Sequence, residues 1–262
     1  MDLQLKEKHV LITGGSRGIG LACARAFLRE GAKVSIAGRS QAHLDAALES
    51  LRNEGFEAAA FSADLRDAAA AAALVETVEQ EAGPVDVLVN SAGAARRTPF
   101  AELDPPAWHD AMHAKFFTYV HVMDPLIKRM AARRAGAIVN VVGMGGKLAT
   151  TTHIAGGSAN AAIMLASAGL AGAYASAGVR VNVVNPALTL TDRMAEGLAA
   201  DARQRGVTSE EALRQAQSRL PIGRIASPEE IANAVVFLAS PCAGYISGAM
   251  ISIDGAAVPM VV

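Results

Sequence analysis

The chain has 262 residues, 52% hydrophobic and 19% charged, so it is long and apolar enough to bury a sizeable core. Its formal net charge is −1 and no run of Lys or Arg exceeds two residues, which argues against nucleic acid or an anionic membrane as a partner. The two cysteines are too few for a disulfide framework. The N-terminal residues lack a signal-peptide core, and no apolar stretch approaches the roughly 20 residues that span a bilayer. These observations predict a cytoplasmic protein that acts on a small molecule.

Short β-branched runs alternate with longer helical stretches along the whole chain, a pattern typical of a parallel sheet covered by helices on both faces. In chain order, the predicted strands are residues 9–12, 33–37, 58–61, 85–89, 137–141, 179–184 and 250–253. We therefore predict α/β architecture: a single doubly wound (Rossmann-type) domain over residues 1–262 with a seven-stranded parallel sheet. The polar insertion at 189–220 is expected to form one or two mobile helices, a substrate lid over the carboxyl edge of the sheet.

A glycine-rich run, TGGSRGIG at residues 13–20, follows the first predicted strand and opens an Ala-rich helical stretch. Glycines at 14, 18 and 20 allow a tight turn, and they let a pyrophosphate approach backbone N–H groups at the positive end of the helix. Because the strand, the glycines and the helix occur together in a βαβ context, the run predicts a dinucleotide site.

Several later segments extend this pattern. Asp64 and Leu65 follow the third strand, the run NSAG at 90–93 follows the fourth, and RVN at 180–182 precedes Asn185, Pro186 and Thr191. With these motifs the chain resembles the short-chain dehydrogenase/reductase family over essentially its whole length. The resemblance implies cofactor contacts from Gly14, Ser16, Arg17, Gly18, Ile19, Gly20, Arg39, Asp64, Leu65, Asn90, Ala92, Gly93, Asn160, Pro186, Thr189 and Thr191.

Charge at the end of the second strand favours NADP(H) over NAD(H). An NAD site needs a carboxylate there for the ribose hydroxyls, and this strand instead ends in Gly38 and Arg39. Arg17 and Arg39 are placed to converge on a 2′-phosphate, with two solvated surface arginines as the alternative. Asp64 and Asn90 have an alternative too, as side chains that cap turns after strands.

The catalytic positions depart from the family pattern. The resemblance implies a Tyr and, four residues later, a Lys; counting back from Asn182 places Gly156 and Asn160 at these two positions. Gly143 stands at the Ser position, thirteen residues before Gly156, and Lys115 stands at the position of the helix Asn. Since a positioned general acid contributes about 10² to 10⁴ in rate, the family's usual carbonyl chemistry is in question.

Replacement groups are present nearby in the sequence. Lys115 and Asn160 are interpreted as an exchanged pair that still places an ammonium and an amide near the nicotinamide ribose; the alternative is a solvated lysine and a buried amide satisfied by backbone. His153, three residues before the missing Tyr, is the best candidate acid, although a loop histidine is often ordinary. Tyr119 is a weaker candidate, because an aromatic residue there is expected to pack in a subunit interface.

We therefore predict an atypical NADP(H)-dependent oxidoreductase of this family that acts on an unknown carbonyl or alcohol. The alternatives are a non-catalytic NADP(H)-binding regulator or subunit, and a lyase or isomerase on the same fold. The resemblance implies a homotetramer or homodimer assembled through residues 108–130 and 158–176, of which the second stretch carries few charges. No metal is expected, because His109 and His113 have the i, i+4 spacing of metal ligands on a helix but are not part of a recognisable metal-binding motif.

Overall fold

The structure is a computed structural model that describes residues 2–93, 95–151 and 153–259, with backbone only for residues 196, 197, 200, 201 and 204. Its seven strands are β1 (His9–Thr13), β2 (Lys33–Gly38), β3 (Ala59–Ser62), β4 (Val87–Asn90), β5 (Gly136–Val141), β6 (Val179–Pro186) and β7 (Met250–Ile253). All pair in parallel, in the order β3-β2-β1-β4-β5-β6-β7. This arrangement confirms the predicted seven-stranded doubly wound sheet.

The helices are α1 (Gly18–Arg29), α2 (Gln41–Asn53), α3 (Ala68–Ala82), α4 (Pro105–Ala111), α5 (Thr118–Arg133), α6 (Ile154–Tyr174), α7 (Asp192–Arg205), α8 (Ser209–Ser218) and α9 (Pro228–Ala239). A π-helical turn, Met112–Phe117, joins α4 to α5. Side-chain caps begin several of these helices: Asp67 accepts from two backbone N–H groups of α3, and Ser227 forms a capping box with Glu230 in α9. The predicted insertion at 189–220 contains α7 and α8.

Alternate residues of each central strand pack on opposite faces of the sheet. Val10 and Ile12 join a cluster with α1, α2 and α9, while Leu11 points to a second cluster with α3, α5 and α6. Both faces are therefore covered, which explains why the strands are continuous apolar runs in the sequence. The fourth strand begins two residues later than predicted, because the backbone N–H of Val85 donates to the Glu79 carboxylate of α3.

One helical segment, Ile154–Ala177, is long and apolar enough to cross a membrane by length and composition. This finding corrects the expectation that no stretch of the chain approaches a span, which arose because Ser and Asn interrupt its Ala- and Gly-rich run. Part of the helix packs in the core, where Ile163 and Met164 contact the cluster that contains Val181 and Val183. A core helix of a globular domain passes the same test of length and composition.

Strand order reverses between β1 and β4, so a crevice opens where their carboxyl ends diverge. In doubly wound sheets ligands bind at this switch point. The glycine-rich loop after β1, the loop after β4, the start of α6 and the insertion that contains α7 all lie at this edge. The fold thus brings the predicted cofactor-binding and catalytic segments to one side of the molecule.

Candidate active site

The glycine-rich loop is a tight cradle that tolerates no side chains at its key positions. Gly14 and Gly18 have φ angles of 69° and 54°, in the left-handed region. A Cβ on Gly20 would lie 2.1 Å from the carbonyl oxygen of Gly14, so the loop and α1 are in direct backbone contact. No side chain caps α1, and its first turn contains no acidic residue. The N–H groups at its start are therefore suited to an anionic partner.

Several charged side chains follow the carboxyl ends of β1, β2 and β3. Arg17 and Arg39 are exposed, and Gly38 has room, since a Cβ there would lie 3.5 Å from Ser16 Oγ. The Asp64 carboxylate accepts from Nε and Nη2 of the Arg66 guanidinium and from the backbone N–H of Arg66, an Asx-type turn. The Arg66 hydrogen bonds, and more weakly the charge of Arg39, lower the pKa of Asp64 to about 2.

Arg66 was not singled out in the sequence. Its position two residues after Asp64 was the available signal, because a short Asx turn brings residues i and i+2 together. The turn-capping alternative for Asp64 is therefore realised, and the carboxylate is held ionised at this corner. Leu65 is buried in the core behind it.

Asn90 lies inside the sheet. Its Oδ1 accepts from Thr13 Oγ1 at 3.1 Å, and its Nδ2 donates to Asn140 Oδ1 at 2.9 Å. Asn140 in turn donates to Ser167 of α6. This buried chain ties β1, β4, β5 and α6 together, so the Asn90 side chain fixes the strand ends that carry the site. Asn140 and Ser167 were missed because nothing in the sequence links positions so far apart.

The loop that follows β4 lies close to the π-helical turn Met112–Phe117. A Cβ on Gly93 would lie 2.2 Å from the Ala114 carbonyl oxygen, and Gly93 has a φ of 84°. Only glycine fits this place, so the loop that includes Ala92 is seated against the π-helical turn. That turn carries Lys115.

The end of β6 and the start of α7 complete the cofactor side. β6 ends at Pro186, Thr189 bridges to Ala226, and Thr191 caps α7 by accepting from the Met194 N–H. A Cβ on Gly18 would lie 3.2 Å from Thr191 Cγ2, so the insertion touches the glycine-rich loop. The structure thus brings Thr191 and the glycine-rich loop together, as the sequence predicts.

Lys115 is half-buried and hydrogen-bonded. Its Nζ donates to Tyr119 OH at 2.8 Å and to the Val141 carbonyl oxygen at 3.4 Å. Burial, and then the charge of Arg193, lower the pKa of Lys115 to about 7. An ammonium that titrates near neutrality at the end of β5 is suited to proton transfer or to tuning a neighbour, so the solvated-lysine alternative is wrong.

Tyr119 lies in the core of the chain with no exposed surface, and its hydroxyl donates to the Val141 carbonyl oxygen at 2.6 Å. The expectation that it packs in a subunit interface is therefore wrong. The reason is local, because the π-helical turn rotates this part of the helix and points the phenol inward toward β5. Burial raises the pKa of Tyr119 far above its ordinary value. Tyr119 is therefore a neutral phenol when its hydroxyl accepts the hydrogen bond from Lys115.

Asn160 and Gly143 lie together beside the end of β5. Asn160 is 5% exposed; its Nδ2 donates to the Gly143 carbonyl oxygen at 3.4 Å, and its Oδ1 has no partner among the described residues. A backbone bond thus satisfies only half of the amide, in contrast to the alternative that backbone groups satisfy it fully. An orphaned buried acceptor is costly, which points to a hydroxyl donor from a bound molecule.

The imidazole of His153 occupies the space beside Gly156. A Cβ built on Gly156 would lie 2.1 Å from His153 Cε1 and 2.7 Å from both ring nitrogens. His153 Nδ1 is buried without a partner in the described structure. Burial lowers the pKa of His153 below its ordinary value, and the charges of Arg97, Arg193 and Lys115 act in the same direction. The ring therefore occupies the place that a side chain on residue 156 would take, and residue 156 is the position that the sequence predicts for the family's tyrosine.

These residues fit a nicotinamide dinucleotide. The uncapped start of α1 and the glycine cradle would hold the pyrophosphate, and Asn160 Oδ1 would accept from a ribose hydroxyl. Lys115 and Asn160, two of the four positions that the sequence predicts to be exchanged, each contact the backbone at or just after the end of β5, and no hydrogen bond between these two described side chains is seen. The interpretation of the two as an exchanged pair near the ribose stays a prediction.

Comparisons with known proteins agree with this geometry. A family model described as short chain dehydrogenase matches residues 8–202. A 3alpha-hydroxysteroid dehydrogenase of Mediterraneibacter gnavus is 32% identical over 260 residues, which cover 98% of this chain and 99% of the relative. The L-sorbose reductase of Gluconobacter frateurii, solved with NADPH and L-sorbose, aligns over 100% of both chains with 30% identity and a TM-score of 0.93. A 7 alpha-hydroxysteroid dehydrogenase solved with NADH is 26% identical, with a TM-score of 0.86 over 97% of this chain and 95% of its own. The chain belongs to the short-chain dehydrogenase family.

Proposed function

We propose that this protein is an NADP(H)-dependent oxidoreductase that interconverts a small alcohol and the corresponding carbonyl compound, with His153 as its proton-transfer group. The observation that carries the proposal is the position of the imidazole, 2.1 Å from the site of a Cβ on Gly156. The group that replaces the family's tyrosine thus comes from the loop before α6. A histidine is competent here, because imidazole exchanges protons near neutral pH.

The bound nicotinamide would supply or accept the hydride, and the protein's own residues handle the proton. We assign the exchange with the substrate oxygen to His153 Nε2, since Nδ1 is buried. With its pKa held below the ordinary value, His153 is neutral at pH 7 and serves as a base toward an alcohol. Lys115 acts on His153 as a nearby positive charge, fixed in place by the Tyr119 hydroxyl and the Val141 carbonyl oxygen.

The first experiment tests the cofactor. We expect NADPH to bind about tenfold or more tightly than NADH, because each charge-assisted hydrogen bond from Arg17 or Arg39 to a 2′-phosphate adds to affinity. Gly38→Asp should reverse this preference, since the new carboxylate repels the phosphate, accepts from ribose hydroxyls and fits the space beside Ser16. Fluorescence titration of both cofactors measures the change.

Arg29→Asp at the far end of α1 is the matched control for the charge reversal in Arg39→Asp, and its preference should equal that of the wild type. Wild-type protein that prefers NADH, or an Arg39→Asp variant that binds NADPH normally, would contradict the charge argument.

The second experiment tests the coupling of Lys115 to His153. Alcohol oxidation needs neutral imidazole, so kcat/KM rises with pH through the pKa of His153. Removal of a positive charge makes the imidazolium less unfavourable, which raises that pKa. Lys115→Met should therefore move the acidic limb of the profile to higher pH by about half to one unit. Arg97 and Arg193, the other charged groups that act on His153, are unchanged in this variant.

Lys128→Met serves as the control, because Lys128 pairs with Asp124 on the exposed side of α5. An unchanged pH profile in Lys115→Met would show that Lys115 has only a structural role.

The same assays distinguish the alternative functions. A non-catalytic NADP(H)-binding protein shows cofactor affinity without turnover of any carbonyl, and a lyase or isomerase consumes substrate without a change in NADPH absorbance.

We also propose that the protein forms a homotetramer or homodimer through α5 and α6. Support comes from the outer side of α6, where Leu165 is 77% exposed and Gly169 and Gly172 face open space. Exposed apolar surface of this kind commonly marks an interface between subunits. Light scattering at low protein concentration measures the mass, and a stable monomer would refute the assembly.

A further inference from the structure

Basic side chains from four separate segments lie at the candidate site, and three of them, those of Lys115, Arg97 and Arg193, act on His153 as positive charges. Lys115 comes from the π-helical turn, His153 from the loop before α6, Arg97 from the loop after β4, and Arg193 from the first turn of α7. None of these segments is adjacent to another in sequence, so the fold alone brings the charges together. The proposed redox chemistry does not by itself require two arginines at this place.

Backbone and core contacts place these segments side by side. Ala95, Ala111 and Ala155 are buried in one small apolar cluster, which joins the loop after β4 to α4 and to the start of α6. Arg97 is two residues beyond Ala95, and His153 is two residues before Ala155. Arg193 Nη2 lies 3.5 Å from the Ala95 carbonyl oxygen, so α7 meets the same loop. The segments that carry Lys115, His153, Arg97 and Arg193 therefore meet at one place, where the Arg97 side chain is exposed.

Electrostatic effects within the site agree with this placement. Among the described residues, the charges that act on His153 are those of Arg97, Arg193 and Lys115, and each lowers its pKa. Arg193 also lowers the pKa of Lys115. A positive potential beside the partly buried Lys115 and His153 favours an anion, and a guanidinium binds a carboxylate through two parallel hydrogen bonds.

We infer that the substrate carries a carboxylate close to its reacting carbon and that Arg97 binds this carboxylate. The inference rests on the proposed function, because it names the substrate class of the same site. Binding of the anion has a further consequence: its charge raises the pKa of His153 back toward neutrality and so helps the imidazole to hold the proton that it transfers.

The test uses the NADP⁺-saturated protein and matched probes that differ in charge: levulinate with methyl levulinate, and acetoacetate with methyl acetoacetate. The ring proton signal of His153, identified by its loss in His153→Asn, is titrated by NMR at constant ionic strength. We expect the acids to raise the pKa of His153 by about half a unit or more and the esters to leave it unchanged. In steady-state reduction, Arg97→Gln should raise KM for the acids about 10- to 100-fold and leave the esters unaffected.

Arg97→Lys should recover part of the loss, because it keeps the charge without the planar fork. Arg96→Gln is the matched control on the same loop, and we expect normal KM values. Cofactor titration of Arg97→Gln must match the wild type, because weakened NADPH binding would assign Arg97 to the cofactor and overturn the inference. Equal effects of acids and esters on His153 would overturn it as well.

The two proposals fail in different ways. If the acids shift His153 but no probe is reduced, the oxidoreductase proposal fails and the carboxylate site stands. If the esters are reduced as well as the acids and Arg97→Gln changes neither, the carboxylate inference fails and the oxidoreductase proposal stands. Binding of inorganic phosphate and of methanesulfonate is measured beside that of levulinate. If either anion binds more strongly than levulinate, the site prefers another class of anion and the inference of a carboxylate substrate is overturned.

Discussion

Replacement of His153 by Asn is expected to lower kcat for carbonyl reduction by about 10² to 10⁴, the usual contribution of a positioned general acid or base. Asparagine keeps a polar side chain of similar reach but does not exchange a proton near neutral pH. NADPH affinity should stay within about twofold of the wild type, because the glycine-rich loop that would hold the pyrophosphate is separate from His153. Single-turnover reduction and cofactor titration measure the two quantities.

A second substitution tests the same group through geometry. Gly156→Ala adds one methyl group at a point 2.1 Å from His153 Cε1, so the imidazole must move. Gly156→Ala alone should lose most of the activity that His153→Asn loses. The double variant, Gly156→Ala with His153→Asn, should lose little more than His153→Asn alone, because both changes act on the same group. His109→Asn on the exposed side of α4 is the control. Full activity in Gly156→Ala would show that the ring position is not required.

Most of the fold was predictable from the sequence because its signals are local. Buried parallel strands are short β-branched runs, Gly14 and Gly20 stand where the backbone packs too closely for a Cβ, and Gly18 has a left-handed φ of 54°. The spacing of the family motifs also predicts which residues take the family's catalytic positions, and this assignment stays a prediction. Strand ends were less predictable, as at β4, because a side-chain hydrogen bond from another element decides where pairing begins.

The chemistry inside the site was less predictable because it depends on side-chain direction. The sequence indicated that His153 precedes the missing Tyr, but not that its ring fills the space beside Gly156. Lys115 and Tyr119 have ordinary helical spacing, and a π-helical turn decides that the phenol points into the core and holds the ammonium. The pairing of Asp64 with Arg66 depends in the same way on the turn after β3.

Restoration of the family's residues is the most demanding test of this site. The sequence predicts that Gly143→Ser, Gly156→Tyr, Asn160→Lys and Lys115→Asn together raise reductase activity. The structure supports the first change, since a Cβ on Gly143 would lie 3.6 Å from Asn160 Nδ2, an ordinary contact. The second change places a tyrosine on the imidazole of His153. The fourfold variant should therefore gain no activity and should lose about 1 to 3 kcal/mol of stability through overpacking.

Removal of the His153 imidazole is expected to make room for the restored tyrosine at position 156. A fivefold variant that adds His153→Ala frees the space beside position 156, and the restored Tyr and Lys are then four residues apart on one face of α6. The lysine charge lowers the pKa of the phenol, so we expect turnover of activated ketones to exceed that of the fourfold variant by at least about tenfold. Thermal unfolding, NADPH titration and ketone reduction are measured on both variants. A fourfold variant that is as stable and active as the fivefold one would show that His153 leaves its place freely, and would remove the steric argument on which its proposed role depends.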